Sequence, residues 1–202
     1  MKVSIQGLIS AVNRKTAWLD RATQALISVL QPHHETHEGR HYYVIYSVAS
    51  LGAMAAPDDM ITLTFTTPNT TRWSHFTFLA NGTGGWRLRL IEDPTGGAES
   101  QTEQLPVWNR NRNSSNVSDI IALDSTPGEV SYDATLATGG NSLWDEIIAG
   151  GAKWAGLVGN GRDEIVLKQN TKYQLSLYGA DADPATLYMD WYEHTDKHVT
   201  VS

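Results

Sequence analysis

Two hydrophobic rhythms divide this chain. In residues 1–31, Ile5, Leu8, Val12, Lys15, Leu19, Ala22, Leu26 and Val29 follow one another at alternating spacings of three and four. All but Lys15 are apolar, which makes a heptad-like stripe and predicts an amphipathic helix. Gly7 lies near its start. Pro32 is expected to end it, because proline lacks the amide hydrogen and restricts the residue before it. The contact candidates of this segment are Leu8, Val12, Trp18, Leu19, Leu26, Val29 and Leu30. Two uses fit the stripe: a short stalk or anchor meeting another surface, or a helix laid on the chain's own core.

From residue 41 the period becomes two. HYYVIYSV (41–48) is β-branched and aromatic. MITLTF (60–65) and SHFTF (74–78) alternate apolar with polar residues, and WRLRLI (86–91) sets Trp86, Leu88 and Leu90 against Arg87 and Arg89. Further strand candidates are 103–108, 119–123, 129–136, 143–148, 163–168, 173–178 and 186–193. Turn clusters such as PNTT, NGTGG, DPTGG and GADADP separate them. Short strands at intervals near ten residues, with no helical pattern between, predict an antiparallel sandwich or barrel. The division expected is an N-terminal helical arm, 1–32, followed by a mainly β domain, 33–202.

Composition narrows the class. Apolar residues make up 41% and charged residues 18%, too apolar a balance for a disordered chain. The net charge of −7 argues against a nucleic-acid partner. With no cysteine there is no disulfide scaffold, thiolate metal site or cysteine nucleophile. No apolar run approaches the roughly 18 residues of a membrane-spanning helix. Asn13, Arg14 and Lys15 interrupt any signal-peptide core, so none is expected.

One motif suggests chemistry. His37-Glu38-Gly39-Arg40-His41 matches H-E-x-x-H, which on a helix sets two histidines to bind zinc around a general base. His33 and His34 lie just upstream. Pro32 and Gly39 disfavour a helix here, and the residues that follow are strand formers. On a strand His37 and His41 would stand roughly 13 Å apart, too far to share one zinc by themselves. The expectation is a solvated or hydrogen-bonded linker with no catalytic metal, no cofactor and no enzyme; the alternative is a structural or adventitious metal held by the histidine-rich stretch 33–41. Asp145/Glu146 and Asp163/Glu164 abut in sequence, so on strands they point to opposite faces. Glu92 and Glu193 each end an apolar strand, where a buried, raised acid is conceivable.

Two loops carry candidate contacts. Arg110 and Arg112 lie in NRNRNSS (109–115), which suits either an intersubunit contact or a self-satisfied turn pairing with the chain's own carboxylates. Trp154 lies in the glycine-rich stretch 150–161, which lacks the strand-then-helix setting of a phosphate loop. It is the tryptophan expected to be exposed, whereas Trp73, Trp86 and Trp191 are expected in the core.

Several segments together resemble a family of small virion structural proteins of tailed bacteriophages. They are HHETHEGRHYYV (33–44), FTTPNTTRWSHFTF (65–78), LIEDPT (90–95), NRNRNSSNVS (109–118), EIVLKQNTKYQLSL (164–177) and MDWYEHTDK (189–197). The resemblance implies a β-sandwich of jelly-roll type, with the histidine-rich run as the lead-in to the first strand. It implies a non-enzymatic capsid decoration or cement protein on the exterior of the virion, made in the host cytoplasm. The partners implied are the phage major capsid protein and other copies of the chain, as a dimer or trimer. A receptor- or glycan-binding module of a tail appendage is the alternative, since both roles use sandwiches.

Overall fold

The alternating segments become strands, because period-two patterning gives each one an apolar side to bury. The computed structural model describes residues 18–19, 26–27, 31–48, 59–82, 85–96, 103–123, 125–132, 135–148, 159, 164–179 and 184–195. In chain order the elements are β1 (Trp18–Leu19), β2 (Leu26–Ile27), α1 (Gln31–His37), β3 (His41–Val48), β4 (Asp59–Thr66), β5 (Trp73–Gly82) and β6 (Trp86–Thr95). They continue with β7 (Gln104–Pro106), β8 (Trp108–Asn109), β9 (Glu129–Tyr132), β10 (Gly139–Ile148), β11 (Ile165–Val166), β12 (Lys172–Gly179) and β13 (Ala185–His194).

Two antiparallel sheets form a β-sandwich. One has five strands in the order β11-β5-β13-β3-β8; the other has six, β10-β6-β12-β4-β9-β7. From β3 to β6, and again from β10 to β13, each successive strand belongs to the opposite sheet. The last two strands are interior. β13 lies between β3 and β5, and β12 lies between β4 and β6.

Aromatic rings tie the two sheets together. Phe65 of β4 meets Phe76 of β5 with ring centroids 5.5 Å apart, and Phe78 meets Trp144 of β10 edge-on at 5.6 Å. Tyr46 of β3 meets Tyr132 of β9 at 4.8 Å. Trp191, Leu187, Leu175 and Leu177 fill the space between, all fully buried. Each such side chain contributes about 1.5–3 kcal/mol through removal from water.

The segment 31–40 departs from the linker expected there. Pro32 sits in the first turn of α1, where its missing amide hydrogen costs no helical bond. Gly39 then reverses the chain with φ at 70°. The Gly39 amide donates to Thr36 O at 3.1 Å and the Arg40 amide to Glu35 O at 2.8 Å. These two bonds make a Schellman cap, so Pro32 and Gly39 bracket a helix rather than abolish one.

The helical arm expected over 1–32 meets a different local structure. Trp18–Leu19 pairs antiparallel with Leu26–Ile27, and Leu19 stands opposite Leu26. That pairing excludes one continuous helix through these four residues. The seven-residue spacing that puts Leu19 and Leu26 on one helical seam also allows them to stand opposite each other in a strand pair. Leu8, Val12, Val29 and Leu30 lie outside the described residues. The segment 119–123 is also no strand. It contributes only bridges from Ile121 to Thr66 and Pro127.

Phe78→Ala is expected to lower the unfolding free energy by about 3–5 kcal/mol in urea denaturation. Ile147→Ser, at a side chain 78% exposed, should change it by no more than about 0.5 kcal/mol. Equal losses at the two positions would refute this assignment of the core.

Candidate functional site

The outer face of the five-stranded sheet is the most chemically loaded surface among the described residues. Register builds it in rows. Val166, His75, Tyr192 and His41 form one row across β11, β5, β13 and β3. Thr77, Asp190, Tyr43 and Trp108 form the next, ending on β8. Leu79, Tyr188 and Ile45 form a third. Trp73, expected in the core, begins β5 opposite His194 and is 41% exposed. It shares the outward parity of His75, while Ser74 points in. Trp86 and Trp191 are buried as expected, and Trp154 lies outside the described residues.

Asp190 is the hub of this face. Its Oδ1 meets His41 Nε2 at 2.6 Å. Its Oδ2 accepts from Tyr188 Oη and Arg110 Nε, each at 2.7 Å. Burial alone would raise the Asp190 carboxyl, but the hydrogen bonds and charges of His41, Tyr188 and Arg110 outweigh it and hold it below the usual range. Arg110 also caps the Tyr43 ring at 5.3 Å, and Arg112 lies 4.9 Å over Trp108. Arg110 pairs with the chain's own Asp190 from the 109–115 loop. Asn and Ser side chains fold the loop on itself: the Asn111 amide donates to Asn109 Oδ1 and the Asn113 amide to Asn111 Oδ1.

His41 stands between Asp190 and Thr36, whose Oγ1 is 2.7 Å from His41 Nδ1. The order hydroxyl, imidazole, carboxylate is that of a nucleophile relay. Thr36, however, donates its one proton to Pro32 O at 2.8 Å. The hydroxyl is thus held by its own helix turn as well as by the His41 ring, and the contact ties α1 to β3. His37, four residues before His41, is on α1 and faces away to His33. The two histidines of the H-E-x-x-H motif thus serve separate neighbourhoods. Among the described residues no group of three or more His, Asp or Glu side chains is placed to hold a metal.

A second cluster adjoins this one. His75 stacks on Tyr192 at 4.5 Å and 10°. Glu164 joins them, 3.1 Å from His75 Nδ1 and accepting from Tyr192 Oη at 2.8 Å. His194 Nδ1 is 3.1 Å from Glu35 Oε1 of α1. Six of the sequence's seven histidines therefore lie on α1 and three neighbouring strands. Their positions along the chain are 33, 34, 37, 41, 75 and 194, so no linear motif unites them.

The two acids expected at strand ends part company: Glu193 is the penultimate residue of β13, whereas β6 continues three residues beyond Glu92. Glu193 faces inward at 2% exposure. Its Oε1 accepts from Ser118 Oγ at 2.6 Å and the Asp119 amide at 2.9 Å, while Oε2 is buried without a partner. Burial, helped by the charge of Asp119, pushes the carboxyl up to about 7 against the bonds from Ser118, Asp119 and Trp191. Glu92 is also buried and would rise for that reason, but Lys168 Nζ at 2.5 Å and Tyr173 Oη at 3.0 Å hold it below its usual range. Asp145 and Glu146 diverge as adjacent strand residues must. Asp145 takes Arg87 at 2.6 Å, and Glu146 accepts from Trp144 Nε1 at 3.1 Å.

The chain matches no protein-family model, no curated protein and no solved structure.

Because the folded Glu193 carboxyl is raised from 4.5 to about 7, its cost is absent below pH 4.5, grows through that window and is complete above about pH 7. Glu193→Gln is expected to flatten this slope. The variant should exceed the wild type by about 2 kcal/mol at pH 8 and lose the advantage at pH 4.5. Urea denaturation at the two pH values checks it; parallel stability profiles would rule it out.

Proposed function

We propose that this chain is a non-enzymatic virion structural protein of a tailed bacteriophage, a decoration or cement protein on the outside of the head. The observation that carries the reading is the outer face of the five-stranded sheet. Trp73, Trp108, Ile45 and Val166 are exposed there beside Tyr43, Tyr188 and Arg110. Trp, Tyr and Arg on a rigid support are the side chains that dominate binding energy at protein interfaces. A sheet anchored by its core loses little entropy when it binds. Repeated weak contacts with a lattice then gain strength from effective concentration.

The strand order supports the jelly-roll form of the sandwich. The sets β11-β5-β13-β3 and β10-β6-β12-β4 each hold four strands, and the chain alternates between them. Double-sheet jelly rolls recur in viral capsid and lectin domains. The resemblance of the ordered segments to phage structural proteins favours the first of these. In this reading the partners are the major capsid protein and further copies of the chain. Residues 1–32 are the arm that anchors the protein or joins copies.

The exposed tryptophans also favour a second reading, a glycan- or receptor-binding module on a tail appendage, because flat aromatic faces suit sugar rings.

Cryo-EM of virions with and without this chain tests the proposal. Loss of an outer head density, with heads that burst more readily on heating, is the expected result. Trp108→Ala combined with Ile45→Asp should reduce head occupancy while leaving the melting temperature of the isolated protein nearly unchanged. Intact heads with a missing tail density, and specific signals on a glycan array, would overturn the cement reading in favour of the second.

A further inference from the structure

We propose that His33 and His37 form a chelating site for a divalent first-row transition ion, copper(II) foremost. The pair lies one helical turn apart on the exposed side of α1. Its two Nε2 atoms converge to 3.0 Å, with the rings edge-on and their centroids 4.6 Å apart. Two neutral imidazoles can hold that separation only by sharing one proton between facing lone pairs. A metal ion takes both Nε2 lone pairs once the bridging proton has moved, by exchange with water, to Nδ1 of the ring that carried it, so both ligands stay neutral imidazoles. Metal–imidazole bonds run about 2.0–2.1 Å, so an ion bonded to both nitrogens at this separation subtends about 95°. That is close to the cis angle of tetragonal coordination, which copper(II) and nickel(II) favour, and affinity across the divalent series peaks at copper(II). Water fills the remaining positions.

The helix turn is held in place before any ion arrives. On the opposite side of α1, Glu35 is buried against His194, and Thr36 binds His41. The C-terminal carbonyls are capped from the 109–116 loop. Asn111 Nδ2 donates to His37 O at 3.1 Å, and Asn116 Nδ2 donates to Glu38 O at 3.1 Å. A fixed backbone spares the ordering cost that weakens histidine pairs on fraying helices. The motif thus offers a bidentate pair at His33 and His37, displaced by one histidine from the H-E-x-x-H spacing.

Titration of the intact chain with copper(II) chloride, followed by calorimetry and by the visible and electron paramagnetic resonance spectra, tests this. One tight equivalent with two equatorial nitrogens is expected. His33→Ala and His37→Ala should each weaken it by about tenfold or more, since one ligand alone lacks the effective concentration of its neighbour. His34→Ala, one residue away, should leave it within about twofold, the scale of an uninvolved position. All three side chains are exposed, and circular dichroism confirms that each variant stays folded. No binding by the wild type, unchanged binding in His33→Ala or His37→Ala, or an equal loss in His34→Ala would each overturn the site.

Discussion

The rest of the structure depends on the insertion of β13 between β3 and β5. Without it the five-stranded sheet has no centre, since β3 and β5 meet only through it. Its ten residues are bonded on one side along their whole length and on the other along most of it. Strand period does the remaining work. Leu187, Met189, Trp191 and Glu193 enter the core, while Tyr188, Asp190, Tyr192 and His194 build the outer face. A slip of one residue would exchange these two sets. It would drive Asp190 and its partners into the core and turn Trp191 out to water. The polar network on one face and the aromatic core on the other therefore specify the same register independently.

The same alternation explains why two acids at similar places behave differently. Glu92 lies within β6, three residues short of its end, beside Tyr173 and within reach of Lys168, so its charge is neutralised where it is buried. Glu193 lies at the end of β13 under the 118–120 loop and receives only neutral donors. Hydrogen bonds without an opposite charge recover part of the solvation lost on burial, not all of it. The difference rests on one lysine brought in from 76 residues away.

Strand existence was legible because period two is a local property. HYYVIYSV coincides with β3, and the segments at 60–65, 86–91, 173–178 and 186–193 extend by only a few residues into β4, β6, β12 and β13. Sheet membership was not legible, because successive strands switch sheets and pairing is settled by the core as a whole. Trp73 was misplaced for a related reason: the pattern distinguishes two faces, but this sheet's outer face also carries aromatic rings. The helix α1 escaped notice because it is short, holds a proline and a glycine, and owes its stability to Asn111, Asn116 and Glu35, contacts invisible to a local pattern. Of the candidate site, Arg110 was singled out from its loop, whereas Asp190, which holds it, was hidden inside an apolar strand. No spacing rule joins residues 80 apart.

The interleaved strand order also constrains how the protein is made. The chain leaves the ribosome from its N-terminus, so β3, β4, β5 and β6 are synthesised long before the strands that separate them. Until β12 and β13 emerge, four apolar strands wait with unpaired edges and neither sheet can close. Closure of the sandwich therefore waits on β12 and β13, and it is slow because its decisive contacts are distant in sequence. A chain truncated before residue 172 is not a smaller version of the fold but a set of strand edges open to aggregation.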